Sequence, residues 1–229
     1  MEKKKEQTKR QTSLEKMMAA GVHFGHRKSK WHPGMKPYVY TIRHNVHIID
    51  LEATDKKLQE AKKFLETIKK SKGTVLFVGT KRQAKRLVQE AAQKTKMPYV
   101  SERWLGGTFT NFKVIQGLTE KLEDLEKEIL TTEFEKRPKK ERLGVETEIR
   151  KLNEKIGGIR TMKKLPDAVF ILDVKEERTA VSEANRIGVP IIALIDTDND
   201  PALAQYPIPS NNDSVKSLEF MINEVIKSL

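Results

Sequence analysis

Three near-continuous apolar runs limit the folds open to this chain: TVLFVG (Thr74–Gly79), AVFILD (Ala168–Asp173) and PIIALI (Pro190–Ile195). Strands with apolar residues on both faces must be covered on both faces, which is the situation of a parallel sheet between helical layers. VHIID (Val46–Asp50) and PYVS (Pro98–Ser101) are weaker strand candidates. Helical spacing fills the gaps. Leu58, Ala61, Leu65 and Ile68 share one face opposite Lys56, Lys63 and Lys70, while Ala84, Leu87, Val88 and Ala91 repeat at i, i+3, i+4, i+7 with Arg82, Lys85 and Arg86 turned away. Alternating strand and helix predict an α/β fold, a three-layer α/β/α sandwich with a parallel sheet of about five strands joined by right-handed crossovers.

The alternation stops between Lys113 and Arg160. Leu118, Leu122, Leu125 and Ile129 step by four, three and four, and Val145, Ile149, Leu152 and Ile156 do the same. Two such stripes joined by a charged, Pro-containing turn (Glu135–Glu141) predict an antiparallel coiled-coil hairpin, stopped by Gly157 and Gly158. The expected organisation is a polar basic tail over 1–13, a discontinuous core over 14–112 and 161–229, and an inserted arm over 113–160.

Charge is distributed unevenly along this plan. Of a formal net +12, residues 1–112 carry 25 Lys and Arg against 10 Asp and Glu; residues 113–160 carry 12 against 11, and residues 161–229 carry 7 against 11. A surplus confined to one half points to one face held against a polyanion. There is no cysteine, which excludes disulfides and thiolate metal sites and fits a reducing cytosol. No run approaches the roughly 18 apolar residues of a membrane span, and MEKKKEQTKRQTS lacks the apolar stretch of a signal peptide, so a cytoplasmic location is expected.

Catalytic and metal motifs fail on inspection. His23 with His26 and His44 with His47 have i, i+3 spacing but no HExxH context, and polar contacts to backbone or RNA are the expected roles. Asp196, Asp198 and Asp200 begin like a calcium loop, yet Pro201 and Pro207 occupy the positions that need Gly and Glu, leaving a turn-forming cluster. Neither GxGxxG nor GxxxxGK[ST] occurs. VGTKR (Val78–Arg82) does put Gly79 and Thr80 at a strand-to-helix turn, where Lys81 and Arg82 could meet a phosphate, more readily of RNA than of a nucleotide. No cofactor, metal or small-molecule substrate is expected.

Two segments combine cations with aromatics and glycine. HRKSKWHPGMKPYVY (His26–Tyr40) reads as a loop stiffened by Pro33 and Pro37 that displays Arg27, Lys28, Lys30 and Lys36. RWLGGTFTNFK (Arg103–Lys113) brings Arg103, Thr108, Asn111 and Lys113 beside a glycine pair, with Trp104 and Phe109 read as core.

AGVHFGH (Ala20–His26), KWHPGMKPY (Lys30–Tyr38), HIIDL (His47–Leu51), LFVGTKRQA (Leu76–Ala84), PYVSERWLGGTFTNF (Pro98–Phe112), GGIRTMKKLPDAVFILD (Gly157–Asp173) and the DT..DP..IP pattern (Asp196–Pro209) are collinear. Together they closely resemble the bacterial-type small ribosomal subunit protein two family, over about Leu14 to Val225. The resemblance implies an α/β/α core with an inserted coiled-coil hairpin, no catalytic activity, and binding of small-subunit ribosomal RNA on the solvent side near the junction of head and body. It also implies neighbouring ribosomal proteins as partners, including in many bacteria the large mRNA-binding ribosomal protein one, with the balanced hairpin and acidic C-terminal part as the places to meet them. Arg27 and Lys28 replace a more polar pair of the family pattern, Asp198 stands where Asn is common, and SNND (Ser210–Asp213) replaces GNDD. The competing reading is an α/β enzyme with a nucleotide or sugar phosphate between the VGTKR turn and the Asp196–Asp200 loop.

If phosphate contacts dominate, neutralising roughly 6 to 10 phosphates should make affinity for small-subunit rRNA fall by about 10³ to 10⁵ between 50 and 200 mM salt. Filter binding across that range checks this, and a flat response contradicts it.

Overall fold

The computed structural model describes residues 13–229; the tail expected over 1–13 therefore lies almost wholly outside the described residues. Residues 13–19 are helical (α1), followed by β1 (Phe24–Arg27), a 3-10 helix (Pro33–Tyr38), β2 (Val39–Arg43), β3 (Val46–Ile49), α2 (Leu51–Lys70) and β4 (Val75–Val78). Then come α3 (Lys85–Thr95), β5 (Tyr99–Val100), α4 (Phe112–Glu128), α5 (Thr132–Glu135), α6 (Lys139–Ile156) and β6 (Ala168–Ile171). The chain closes with α7 (Arg178–Ile187), β7 (Ile191–Ile195), β8 (Tyr206–Pro209) and α8 (Val215–Ile226).

The main sheet has five parallel strands in the order β5-β4-β6-β7-β8. Side chains alternate across it as the pleat requires. Val75, Phe77, Phe170, Ile192, Leu194 and Ile208 pack with Leu58, Leu65, Val88, Leu218 and Met221 from α2, α3 and α8, and Phe77 meets Phe170 edge-on at 5.8 Å. Leu76, Val78, Val169, Ile171, Ala193 and Ile195 line the other face, with Val181 and Ala184 of α7, Trp104 and Phe109. The sheet is thus buried on both faces, as its apolar runs predict. The outward lysines Lys56, Lys63 and Lys70 are exposed on α2, while Leu58, Ala61, Leu65 and Ile68 are buried.

Two strand expectations need correction. VHIID forms β3, but β3 is the centre of a separate antiparallel sheet, β1-β3-β2. The fifth parallel strand is instead YPIP (β8), paired through Ile192 with Tyr206 and Leu194 with Ile208. Proline cannot donate to a ladder, so a strand with Pro207 and Pro209 is tolerated only at an edge, and β8 is one. The stretch His26–Tyr40 is also more regular than a loop. It starts as the end of β1 and continues into a 3-10 helix whose N-cap His32 accepts a hydrogen bond from Gly34 N, with Met35 fully buried beneath it.

Between β5 and β6 the chain forms α4, a single turn α5 and α6. Lys121 pairs with Glu148 at 2.5 Å, and Arg160 reaches Glu126 at 2.7 Å. Their feet belong to the main core: Ile115, Leu122, Ile156 and Ile159 join the cluster containing Val78 and Trp104. Gly158 passes so close to β5 that a Cβ would lie 2.2 Å from the Tyr99 carbonyl oxygen, so only glycine lets the returning chain seal that edge.

Leu122→Ala or Ile156→Ala should lower stability by about 2–5 kcal/mol, and Trp104→Ala by about 3–5 kcal/mol, because each empties a packed site. Leu143→Ala, at an exposed position, should change it by within about 0.5 kcal/mol. Chemical denaturation compares them, and equal losses would contradict this placement of the core.

Candidate nucleic-acid interface

The strand order reverses at β4 and β6: from β4 the chain moves out to β5 and later returns to β6 on the other side. In open parallel sheets the crevice beyond the strand ends at such a point receives ligands. Here the protein fills it. Lys81, after β4, forms a close ion pair with Asp173, after β6, and pairs with Asp213 at 2.8 Å. Burial alone would push the Lys81 ammonium down, but its bonds to Asp173 and Asp213 prevail and hold it above its usual value. The Thr80 amide, a natural phosphate donor, instead donates to Glu177 Oε1 at 2.6 Å, and burial pushes that carboxyl up. α3 begins only at Lys85. A phosphate approaching VGTKR would meet carboxylates where it needs donors, which counts against the nucleotide or sugar-phosphate reading.

The same cluster ties down the N-terminal sheet. His26 Nδ1 lies 3.0 Å from Asp196 and 3.8 Å from Asp198, and its Nε2 lies 3.4 Å from Asp213. The hydrogen bond to Asp196 raises the imidazole's pKa against the opposing effect of burial, and the charges of Asp196, Asp198 and Asp213 add to the rise. The His26 amide donates to Thr197 Oγ1 at 2.8 Å, and the His32 amide donates to the Thr197 carbonyl at 2.9 Å. Gly25 is needed here because a Cβ would lie 2.5 Å from Thr197 Cγ2. Asp196 also accepts from the Thr197 and Asn212 amides, and Lys175 bonds Asp198 at 2.7 Å. His26, Asp196 and Asp198 can bring ligand atoms within 4.8 Å of one another, a geometry able to hold a cation. Their separation in sequence hides it from any spacing argument, and His26 is engaged with carboxylates where backbone or RNA contacts were expected. Asp200 does cap a turn, accepting from Ala202 N at 2.9 Å.

The expected RNA-binding residues fall into three groups. Arg27, Lys28, Lys30 and Lys36 are exposed, and among the described residues none is paired with a carboxylate. Lys81 is committed to Asp173 and Asp213, whereas Arg82 beside it is exposed. Arg103, Asn111 and Lys113 are exposed in the segment after β5, but Thr108 is 1% exposed and its hydroxyl donates to the Leu105 carbonyl at 2.6 Å. Lys81 and Thr108 are therefore structural in the free protein, because burial and prior bonds occupy their polar atoms. Trp104 and Phe109 are buried, edge-on at 4.9 Å, as expected of core residues.

Sequence reasoning missed Glu183. Its carboxylate accepts from Trp104 Nε1 (3.1 Å), Gly107 N (2.7 Å), Phe109 N (2.9 Å) and Thr110 N (3.2 Å). Burial would raise its carboxyl, but the Phe109, Gly107, Trp104 and Thr110 donors outweigh it and hold it below the ordinary glutamate range. The available signal was an acid on the apolar face of α7, adjoining Ala180 and Ala184.

These features define a parallel-sheet α/β protein whose strand-end crevice is closed by its own ion pairs and which carries, on ordered segments, exposed cations with no carboxylate partner among the described residues. The chain belongs to the ribosomal protein S2 family, whose model matches residues 17–229. It is 42% identical over 214 residues to proteins named small ribosomal subunit protein uS2 from two strains of Thermus thermophilus, covering 93% of this chain and 84% of each relative. A protein of the same name from Petrotoga mobilis is 43% identical over 217 residues, covering 95% of this chain and 75% of the relative.

Lys81→Met should destabilise the protein by about 3 kcal/mol, because it strands the buried Asp173 carboxylate. Replacing Lys28, Lys30 and Lys36 together with Ala should change stability by within about 0.5 kcal/mol per residue. Urea unfolding of both variants checks the distinction, and similar losses would show that the loop lysines are structural.

Proposed function

We propose that this chain is a structural constituent of the small ribosomal subunit in the cytoplasm. In this role it binds small-subunit rRNA through its basic N-terminal face and meets neighbouring ribosomal proteins elsewhere. The observation that carries the reading is family membership over nearly the whole described chain. Its physical support is the set of exposed cations Arg27, Lys28, Lys30 and Lys36, without a carboxylate partner among the described residues, on a segment anchored by buried Met35 and by the His26 bonds. A pre-ordered basic segment loses less side-chain and loop freedom on binding than a floppy one, and phosphates supply most of the affinity available to such a surface.

Arg82, Arg103, Asn111 and Lys113 extend the contact in this reading. Residues 14–112 and 161–229 act as the core, and residues 113–160 as a coiled-coil arm whose feet are fused to it. The arm's balanced charge and the acidic C-terminal part suit protein neighbours, with the mRNA-binding ribosomal protein one as a candidate where it is present. Among the described residues no helix is long and apolar enough to cross a membrane.

Co-sedimentation with small subunits in sucrose gradients tests the assignment. The wild-type chain should migrate with the subunit, and the variant carrying Lys28→Ala, Lys30→Ala and Lys36→Ala should do so less while unfolding at the same temperature. Recovery of the wild-type protein only at the top of the gradient would contradict the function. Undiminished incorporation of the triple variant would move the RNA contact away from this segment.

A further inference from the structure

Glu183 is 8% exposed and lies on a helix face otherwise built of Ala180, Val181 and Ala184. A carboxylate there is costly unless fully hydrogen-bonded. Among the described residues its hydrogen bonds come from one short segment: Oε1 accepts from the Trp104 indole and the Gly107 amide, and Oε2 from the Phe109 amide and from both the amide and the hydroxyl of Thr110. Successive amides converging on an anion form a nest of the kind proteins often offer to a phosphate. In this chain the anion is internal, and its effect is to hold the segment in a single path, including Gly107 at φ +93°.

The path matters because of what it carries. Arg103 precedes the clamped residues and Lys113 follows them; both are exposed, and neither is paired with a carboxylate among the described residues. Packing alone would be served by an apolar side chain at position 183. A carboxylate specifies backbone geometry instead, since it must meet several donors at once.

We propose that Glu183 is a positioning residue for RNA binding, setting the spacing of Arg103 and Lys113 so that both reach phosphates of the same RNA. This rests on the rRNA-binding reading above. Glu183 does not touch the RNA and acts through the segment it clamps.

Filter binding to transcribed small-subunit rRNA, with urea unfolding in parallel, tests this by a double-mutant cycle. E183Q keeps the size of the side chain but replaces one acceptor oxygen with a donor facing the amides. E183Q and R103A/K113A should each weaken binding by about tenfold, a change of about 1.4 kcal/mol. Combined, they should weaken it no more than R103A/K113A alone. E183Q should still add fully to K28A/K30A/K36A, which is the result a general loss of fold would not produce. Independent, multiplying losses from E183Q and R103A/K113A would overturn the proposal, as would wild-type affinity in R103A/K113A. If E183Q shows no cooperative unfolding, W104F, which removes the indole donor and leaves a smaller ring in the same buried site, takes its place in the same cycle with the same criteria. Failure of the wild-type protein to bind the rRNA would overturn the underlying reading as well, so the two failures are distinguishable.

Discussion

The bond between His26 and the buried Asp196 carboxylate is the joint on which the rest of the molecule depends. Asp196 is 1% exposed at the end of β7, and a buried carboxylate must be satisfied by charge and hydrogen bonds or it destabilises the fold. His26 and the Thr197 and Asn212 amides satisfy it. In doing so they fix β1, and with it the small antiparallel sheet and the basic 3-10 segment, onto the strand ends of the main sheet. Asn211 reinforces the joint from β8's side, donating from its amide to the Val22 carbonyl and from its side chain to Gly21. The protein thereby converts a polar defect in its core into a rigid mounting for its cations.

The same economy closes the crevice at the β4/β6 switch point. An open parallel sheet directs amides and loops outward at its strand ends, which is why so many such folds hold nucleotides there. In this chain Lys81, Asp173, Glu177 and Asp213 occupy that space with one another. The fold keeps the geometry of a ligand-binding sheet while the ligand's place is taken by side chains. In the reading proposed above, recognition falls instead to the segments before β2 and after β5. These are held from beneath by anions, Asp196 in one case and Glu183 in the other, and present cations above.

What could be read from residues alone follows the strength of the local pattern. β4, β6 and β7 are runs apolar on both faces, a pattern with one solution, and the stripe Leu58, Ala61, Leu65, Ile68 fixes the buried face of α2. β3 was legible as a strand but not by its sheet, because four residues do not say which partner they pair with. β8 was hidden by Pro207 and Pro209, which count against a strand unless its edge position is known. Among the site residues, the exposure of Arg27, Lys28, Lys30 and Lys36 follows from charge and prolines nearby. The burial of Thr108 does not, since a threonine's role depends on whether a carbonyl such as that of Leu105 lies within reach. His26, Lys81 and Glu183 owe their roles to partners at least 73 residues away, which no periodicity encodes.

The central claim is that the free cations of the anchored N-terminal segment face rRNA in the assembled particle. Lysine reactivity, measured by mass spectrometry after brief acetylation of the free chain and of the chain within small subunits, tests it most directly. Lys28, Lys30 and Lys36 should react readily in the free protein and lose that reactivity on assembly, while Lys81, already paired with Asp173 and Asp213, should react slowly in both. Equal reactivity of Lys28, Lys30 and Lys36 in the free and assembled states would contradict the account.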